Sequence, residues 1–133
     1  MRVLIVDDSR ANRNIAKVLL EGAGHRVSEA GGGQEAIDIA TQNNVDVILM
    51  DIAMPEIDGL AATRAIRAMS GPEARVPIVA WTAHDVPGMR GQTCAAGMDA
   101  YLTKPIIRAT LLSTIAAFAN GRGNAQLQSM RFG

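Results

Sequence analysis

The sequence predicts an α/β fold: one sheet of five parallel strands, doubly wound with helices on both faces. Two observations carry this expectation. Short β-branched runs of four to six residues recur between longer segments with helical spacing, the alternation a parallel sheet covered on both sides requires. Carboxylates also stand where those runs end, Asp7 and Asp8 after the first and Asp51 after the third. In consecutive parallel strands these ends share one edge of the sheet, so the three carboxylates should converge in one crevice.

The elements follow in order. The first strand spans 2–6, with Val3, Leu4, Ile5 and Val6. Ser9 is an N-cap for a helix whose apolar face is Ile15, Ala16, Leu19 and Leu20, and Gly22 and Gly24 end it. The second strand is 25–30. Gly31 to Gly33 make a turn into a helix with Ala36, Ile37 and Ala40 inward, closed by Asn43 and Asn44. The third strand is 45–50, and a loop over 52–58 leads to a helix opened by Gly59 and carrying Leu60, Thr63, Ile66, Arg67 and Met69. Ser70, Gly71 and Pro72 break that helix.

The fourth strand, 77–82, is apolar on both faces, as a central parallel strand should be. The helix after it is expected over 85–96 and is the weakest, because Pro87, Gly88 and Gly91 crowd it and each glycine costs about 1 kcal/mol relative to alanine. A fifth strand over 100–103 and a helix over 107–120, with Leu111, Leu112, Ile115 and Phe118 on one side, complete the domain. One domain is therefore expected over 1–120. The remaining 121–133 have little apolar periodicity and read as a flexible tail.

Composition narrows the function. A chain of 133 residues with a hydrophobic fraction of 48% can fill one core. Thirteen basic residues offset thirteen acidic ones, which argues against direct nucleic-acid binding and points to protein partners. Cys94 is the only cysteine, so an internal disulfide and a cysteine-rich zinc cluster are excluded; it reads as a structural residue in a reducing compartment. The first apolar run is too short for a signal peptide or a membrane span, and a cytoplasmic protein without membrane insertion is expected.

The polar residues at the strand ends are Asp7, Asp8, Asp51, Thr82 and Lys104. In this order the set resembles the response-regulator receiver domains of two-component and phosphorelay signalling, which share the flavodoxin-like (βα)5 fold. The run Asp51-Ile52-Ala53-Met54-Pro55-Glu56-Ile57-Asp58-Gly59 is similar to that family's acceptor loop, and Tyr101-Leu102-Thr103-Lys104-Pro105 to its lysine loop. The resemblance covers nearly the whole domain.

It implies that Asp51 accepts a phosphoryl group from a phosphohistidine. Mg²⁺, with Mn²⁺ as a substitute, would be held by Asp8, Asp51 and the backbone carbonyl of Ala53, with Asp7 acting through water. A metal that takes about six oxygens and keeps several waters suits so few protein ligands. Lys104 would neutralise charge on the transferring group and Thr82 would donate its hydroxyl to a phosphoryl oxygen. Thr82 and Tyr101 would be the switch that remodels the surface of the fourth helix, fifth strand and fifth helix. Ala53 and His84 would tune the lifetime, and Lys104-Pro105 would be a cis peptide.

The implied partners are a sensor histidine kinase or histidine phosphotransfer protein and a downstream protein target, with the chain a monomer or weak dimer. The domain would assist its own phosphorylation rather than act as a classical enzyme. Its stretch 94–106 and the run Thr82-Ala83-His84 look like receivers of hybrid histidine kinases, so an excised kinase receiver is the alternative; Met1 directly before the first strand favours the stand-alone form.

Blander readings exist for each residue. Asp7 and Asp8 could be a solvated helix cap, Thr82 a strand hydroxyl bonded to backbone, Lys104-Pro105 an ordinary turn, and Tyr101 packing. Met50, Met54 and Met69 read as core or loop filling, and His25 and His84 as surface residues without metal-ligand spacing. Two other functions compete. A phosphatase of the haloacid dehalogenase type needs a DxDx[TV] run where this chain has Asp7-Asp8-Ser9-Arg10, and a flavodoxin-like cofactor binder needs a Ser/Thr/Gly loop where this chain has carboxylates.

Overall fold

A computed structural model describes residues 1–119. Its elements are β1 (Arg2–Val6), α1 (Arg10–Gly22), β2 (Arg26–Ala30), α2 (Gly33–Gln42), β3 (Val47–Asp51), α3 (Gly59–Arg67), a 3₁₀ turn (Pro72–Arg75), β4 (Ile78–Thr82), α4 (Met89–Ala96), β5 (Ala100–Thr103) and α5 (Arg108–Ala119). All pairings are parallel, in the order β2-β1-β3-β4-β5. The expected doubly wound sheet is thus present. The chain reverses its direction of travel across the sheet between β1 and β3, and at such a point the loops diverge and leave a crevice beyond the strand ends.

Central strands are buried on both faces, so successive side chains feed two cores. Leu4, Val6, Ile48, Met50, Ile78 and Ala80 pack with Ala36, Ala40, Ala62 and Ile66 from α2 and α3. Val3, Ile5, Val47, Leu49, Val79 and Trp81 pack with Ala16 and Leu20 of α1 and Leu111 and Ile115 of α5. The edge strand β2 alternates instead, with Arg26 and Ser28 exposed. Met50 and Met54 are buried and Met69 packs against the core, as filling residues do. Among the described residues no helix is long and apolar enough to cross a membrane.

Several boundaries differ from the sequence expectation. β2 starts at Arg26 because the His25 N–H closes the end of α1 on the Leu20 carbonyl at 3.0 Å. β3 starts two residues later than expected, at Val47, and takes in Asp51 as its last residue; the Asp46 carboxylate accepts the Arg2 N–H at 2.7 Å just before it. β4 begins after Pro77, which has no N–H to give. α5 begins at Arg108, while Asn120 and the tail expected over 121–133 lie outside the described residues.

Two corrections matter more. Ile15 was expected on the inner face of α1 but is 53% exposed. Ala16 and Leu20, four apart, take the core-facing line, and Ile15 sits one residue, about 100°, around the helix from Ala16. α4 starts at Met89 rather than near 85, since Gly88 at φ 86° is left-handed and cannot continue a helix. Cys94 on that helix is exposed, which removes its expected structural role.

Candidate functional site

The crevice beyond β1, β3, β4 and β5 is built by those strand ends. Asp7 follows β1 and is fully buried, Asp51 ends β3 at 3% exposure, and Asp8 is exposed. One ligand oxygen from each of the three lies within 4.8 Å of the others. Lys104, just past β5, reaches in with its Nζ 2.7 Å from Asp7 Oδ2 and 3.5 Å from Asp51 Oδ1. One ammonium thus pairs with two of the three carboxylates.

Each carboxylate is held differently. Asp7 Oδ1 accepts the Ser9 N–H at 2.8 Å and Oδ2 accepts Lys104, so both of its oxygens have protein partners. Ser9 also caps α1, its hydroxyl accepting the Asn12 N–H at 3.3 Å. Asp51 Oδ1 accepts the Ala53 N–H at a long 3.3 Å. Burial first and the neighbouring Asp7 charge second raise the Asp51 pKa, Lys104 and the Ala53 N–H pull the other way, and the net result is a rise from 3.8 to about 6. A carboxylate made this costly to ionise is one that a cation in the same crevice would stabilise.

Two glycines let the loops approach. A Cβ on Gly59 would overlap the carbonyl oxygen of Asp51, so only glycine lets α3 start against the end of β3. Gly33 lies in a similar squeeze, where a Cβ would come within 2.5 Å of the Ile57 carbonyl oxygen. The expected glycine turn therefore also gives α2 close contact with the loop after β3.

The remaining candidates surround this centre. Thr82 is fully buried at the end of β4, its Oγ1 accepting the His84 N–H at 2.9 Å and its carbonyl accepting the Lys104 N–H at 2.8 Å. His84 itself is exposed, as is Ala53. Tyr101 is buried, and its hydroxyl donates to Asp85 Oδ1 at 3.0 Å. Burial and the Asp85 carboxylate push the Tyr101 pKa up to about 12, so the hydroxyl keeps its proton. The Lys104–Pro105 peptide bond is cis.

Sequence reasoning missed three supporting residues. Asp85 anchors Tyr101, and Arg90 lies over the same ring at 4.4 Å. Arg13, one turn into α1, donates from Nη1 to the Asp7 carbonyl at 2.7 Å and from Nε to Glu29 at 3.1 Å. The spacing of Arg13 from Ser9 on a helix was the available signal; nothing in the sequence pairs Asp85 with a residue sixteen positions away.

The comparisons agree with this geometry. A family model described as the response regulator receiver domain matches residues 3–116. The chain is 36% identical over 117 residues to the CAI-1 autoinducer sensor kinase/phosphatase CqsS of Vibrio cholerae, covering 88% of this chain and 17% of that protein. It is 41% identical to the sensor protein GacS of Pseudomonas syringae, over 86% of this chain and 13% of the relative. The chain therefore spans about one sixth or less of the length of these relatives.

Among solved structures, the receiver domain of the sensor histidine kinase PA1611 from Pseudomonas aeruginosa, with a magnesium ion coordinated in its active site cleft, superposes with a TM-score of 0.82 at 37% identity. The match covers 90% of this chain and 97% of that one. The Vibrio cholerae chemotaxis protein CheY4 gives a TM-score of 0.82 at 33% identity, over 88% and 97%. An acidic crevice at the switch point of a β2-β1-β3-β4-β5 sheet, a lysine aimed into it and a family match over nearly the whole described fold make this chain a member of the response regulator receiver domain family.

Proposed function

We propose that the chain is a phosphoacceptor switch in which Asp51 takes a phosphoryl group from a phosphohistidine. The observation that carries this is a buried carboxylate at a strand end, set beside two more carboxylates and within 3.5 Å of a lysine ammonium. An Asp51 oxygen attacks phosphorus, the P–N bond breaks, and the imidazole leaves with a proton, giving an acyl phosphate on Asp51. Lys104 offsets charge on the transferring oxygens. Thr82 accepts from the His84 N–H and so keeps its own O–H for a phosphoryl oxygen.

The crevice suits Mg²⁺, or Mn²⁺ in its place. Asp8 and Asp51 offer carboxylate oxygens and Ala53 a carbonyl, while Asp7, already occupied on both oxygens, acts through water. Bound there, the metal supplies Lewis-acid neutralisation of the phosphoryl oxygens. Tyr101 and Thr82 carry the change to the α4-β5-α5 surface, where a downstream protein reads it. His84, exposed two residues past Thr82, tunes water access and lifetime together with Ala53.

The partners are a sensor kinase or histidine phosphotransfer protein in the cytoplasm, and the switch assists its own chemistry without acting as a classical enzyme. The similarity to sensor kinases supports a second setting, a receiver belonging to a longer kinase chain. Phosphotransfer profiling against histidine kinases and histidine phosphotransfer proteins would identify the donor.

The test is labelling with a small phosphodonor and Mg²⁺. Wild type should take an acyl phosphate that hydroxylamine removes, Asp51→Asn should take none, and His84→Ala should alter the decay once donor is withdrawn. A hydroxylamine-stable label that survives in Asp51→Asn would overturn the assignment.

A further inference from the structure

We infer that Trp81 is a positioning residue whose indole face seats the Lys104 ammonium beside Asp51. The inference rests on the reading of Asp51 as phosphoacceptor and adds a residue to it. Lys104 Nζ lies 4.6 Å from the centroid of the Trp81 ring, inside the range of about 6 Å over which a cation is drawn to an aromatic face. Strand register fixes this arrangement. Trp81 is the direct partner of Asp51 across β3 and β4 and of Leu102 across β4 and β5, two residues before Lys104. Trp81 is 1% exposed and the Lys104 side chain 14%, and a desolvated cation–π contact is the strong kind.

Two further facts separate this from packing. The Trp81 Nε1–H is buried with no hydrogen-bond partner among the described residues. A leucine would fill the core without stranding that donor, so the indole is better explained by its face than by its edge. Lys104 also sits between unequal acceptors, 2.7 Å from Asp7 and 3.5 Å from Asp51. Asp7 alone would draw the ammonium away from Asp51. The ring attracts it without using any of its three N–H donors, leaving one for Asp7 and others for an incoming phosphoryl oxygen.

The test replaces Trp81, the only tryptophan, with tryptophans of increasing fluorination, which withdraw π density while nearly preserving shape. With Mg²⁺ and a small phosphodonor, the rate of Asp51 labelling in the full chain should fall stepwise, about 3- to 10-fold across the series. In parallel, the Lys104 Hε protons should be shifted upfield by the ring in wild type and should lose that shift in Trp81→Leu. Equal labelling rates across the series, with unmodified protein labelled, would overturn the role of Trp81 and leave Asp51 as acceptor intact. If the unmodified chain takes no label, the acceptor reading fails and the proton shifts alone decide: shielded Hε protons uphold the Trp81 seat, unshielded ones remove it.

Discussion

α3 and α4 follow the two strands that end in Asp51 and Thr82, yet they are held in opposite ways. α3 starts against the site: Asp58 caps it by accepting the Ala61 N–H at 2.8 Å, Gly59 is pressed onto Asp51, and Thr63 is buried. Its last residue, Arg67, donates to the Gly97 carbonyl at 2.9 Å, the Ala74 carbonyl at 3.0 Å and the Asp99 carboxylate at 2.8 Å. α4 has eight residues, begins after a left-handed glycine without a side-chain cap, and is preceded by the exposed stretch 83–88. The difference separates two tasks. On the proposed function, the acceptor needs fixed geometry and the output needs an element that a small force can move.

The strongest challenge to this contrast is Gly59→Ala. Its Cβ would overlap backbone that cannot shift without moving Asp51, so a loss of about 3 kcal/mol or more is expected in denaturant unfolding, along with lost phosphoryl labelling. A variant with wild-type stability would show that the β3–α3 junction is not tightly held.

Arg67→Met comes next. It takes the ion-pair partner from Asp99, whose carboxylate keeps only the Ile78 N–H, and the side-chain donor from two carbonyls, and should cost about 1 to 3 kcal/mol. Amide exchange should also quicken around 97–99, where α3 grips the end of α4. If exchange quickens only within α3, the grip does not extend across.

The third test concerns the electrostatic strain of the fixed site. Asp51 has a folded pKa near 6 against 3.8 unfolded, so the folded chain binds this proton more tightly. Without metal, its contribution to stability is least favourable above pH 6 and improves as pH falls from 6 towards 4. Asp51→Asn in EDTA should therefore be more stable than wild type at pH 7.5, by about 1 to 2 kcal/mol, with the gap about halved at pH 5 and closed below about pH 4. A gap that does not change with pH would mean the carboxylate is not strained in the fold.

Gly91→Ala is the smallest effect and has the opposite sign. A Cβ there meets nothing within 4 Å, so the change should stabilise α4 by up to about 1 kcal/mol. Exchange should slow across 89–96 with α3 unaffected. The response of Trp81 fluorescence to beryllofluoride with Mg²⁺ should shrink, and an undiminished response would show that the looseness of α4 plays no part in the output.

The sequence revealed this contrast only partly. Strand ends were legible because a parallel sheet forces polar residues such as Asp7, Asp51, Thr82 and Lys104 to one edge, and the glycines and proline after Thr82 marked the weak helix. The start of α4 was not legible, since a glycine can be helical or left-handed and only the fold chose φ 86° for Gly88. Ile15 misled because an apolar stripe two residues wide does not say which half faces the sheet. The Arg67 grip was invisible: Asp99 is 32 positions away, and a helical arginine in isolation reads as solvated.

The same grip sets how α4 can travel. Over its eight residues α4 spans about 12 Å between two unlike anchors, a hydrogen bond from Arg67 to the Gly97 carbonyl at one end, and Met89 on the core with Arg90 over the Tyr101 ring at the other. A tilt of about 10° about the Gly97 end would carry the Met89 end about 2 Å and would have to shift Met89 and Arg90 on those contacts. A partner seated on Met89 and Arg90 would then sense almost the full stroke, while one seated at Ala96 would sense almost none.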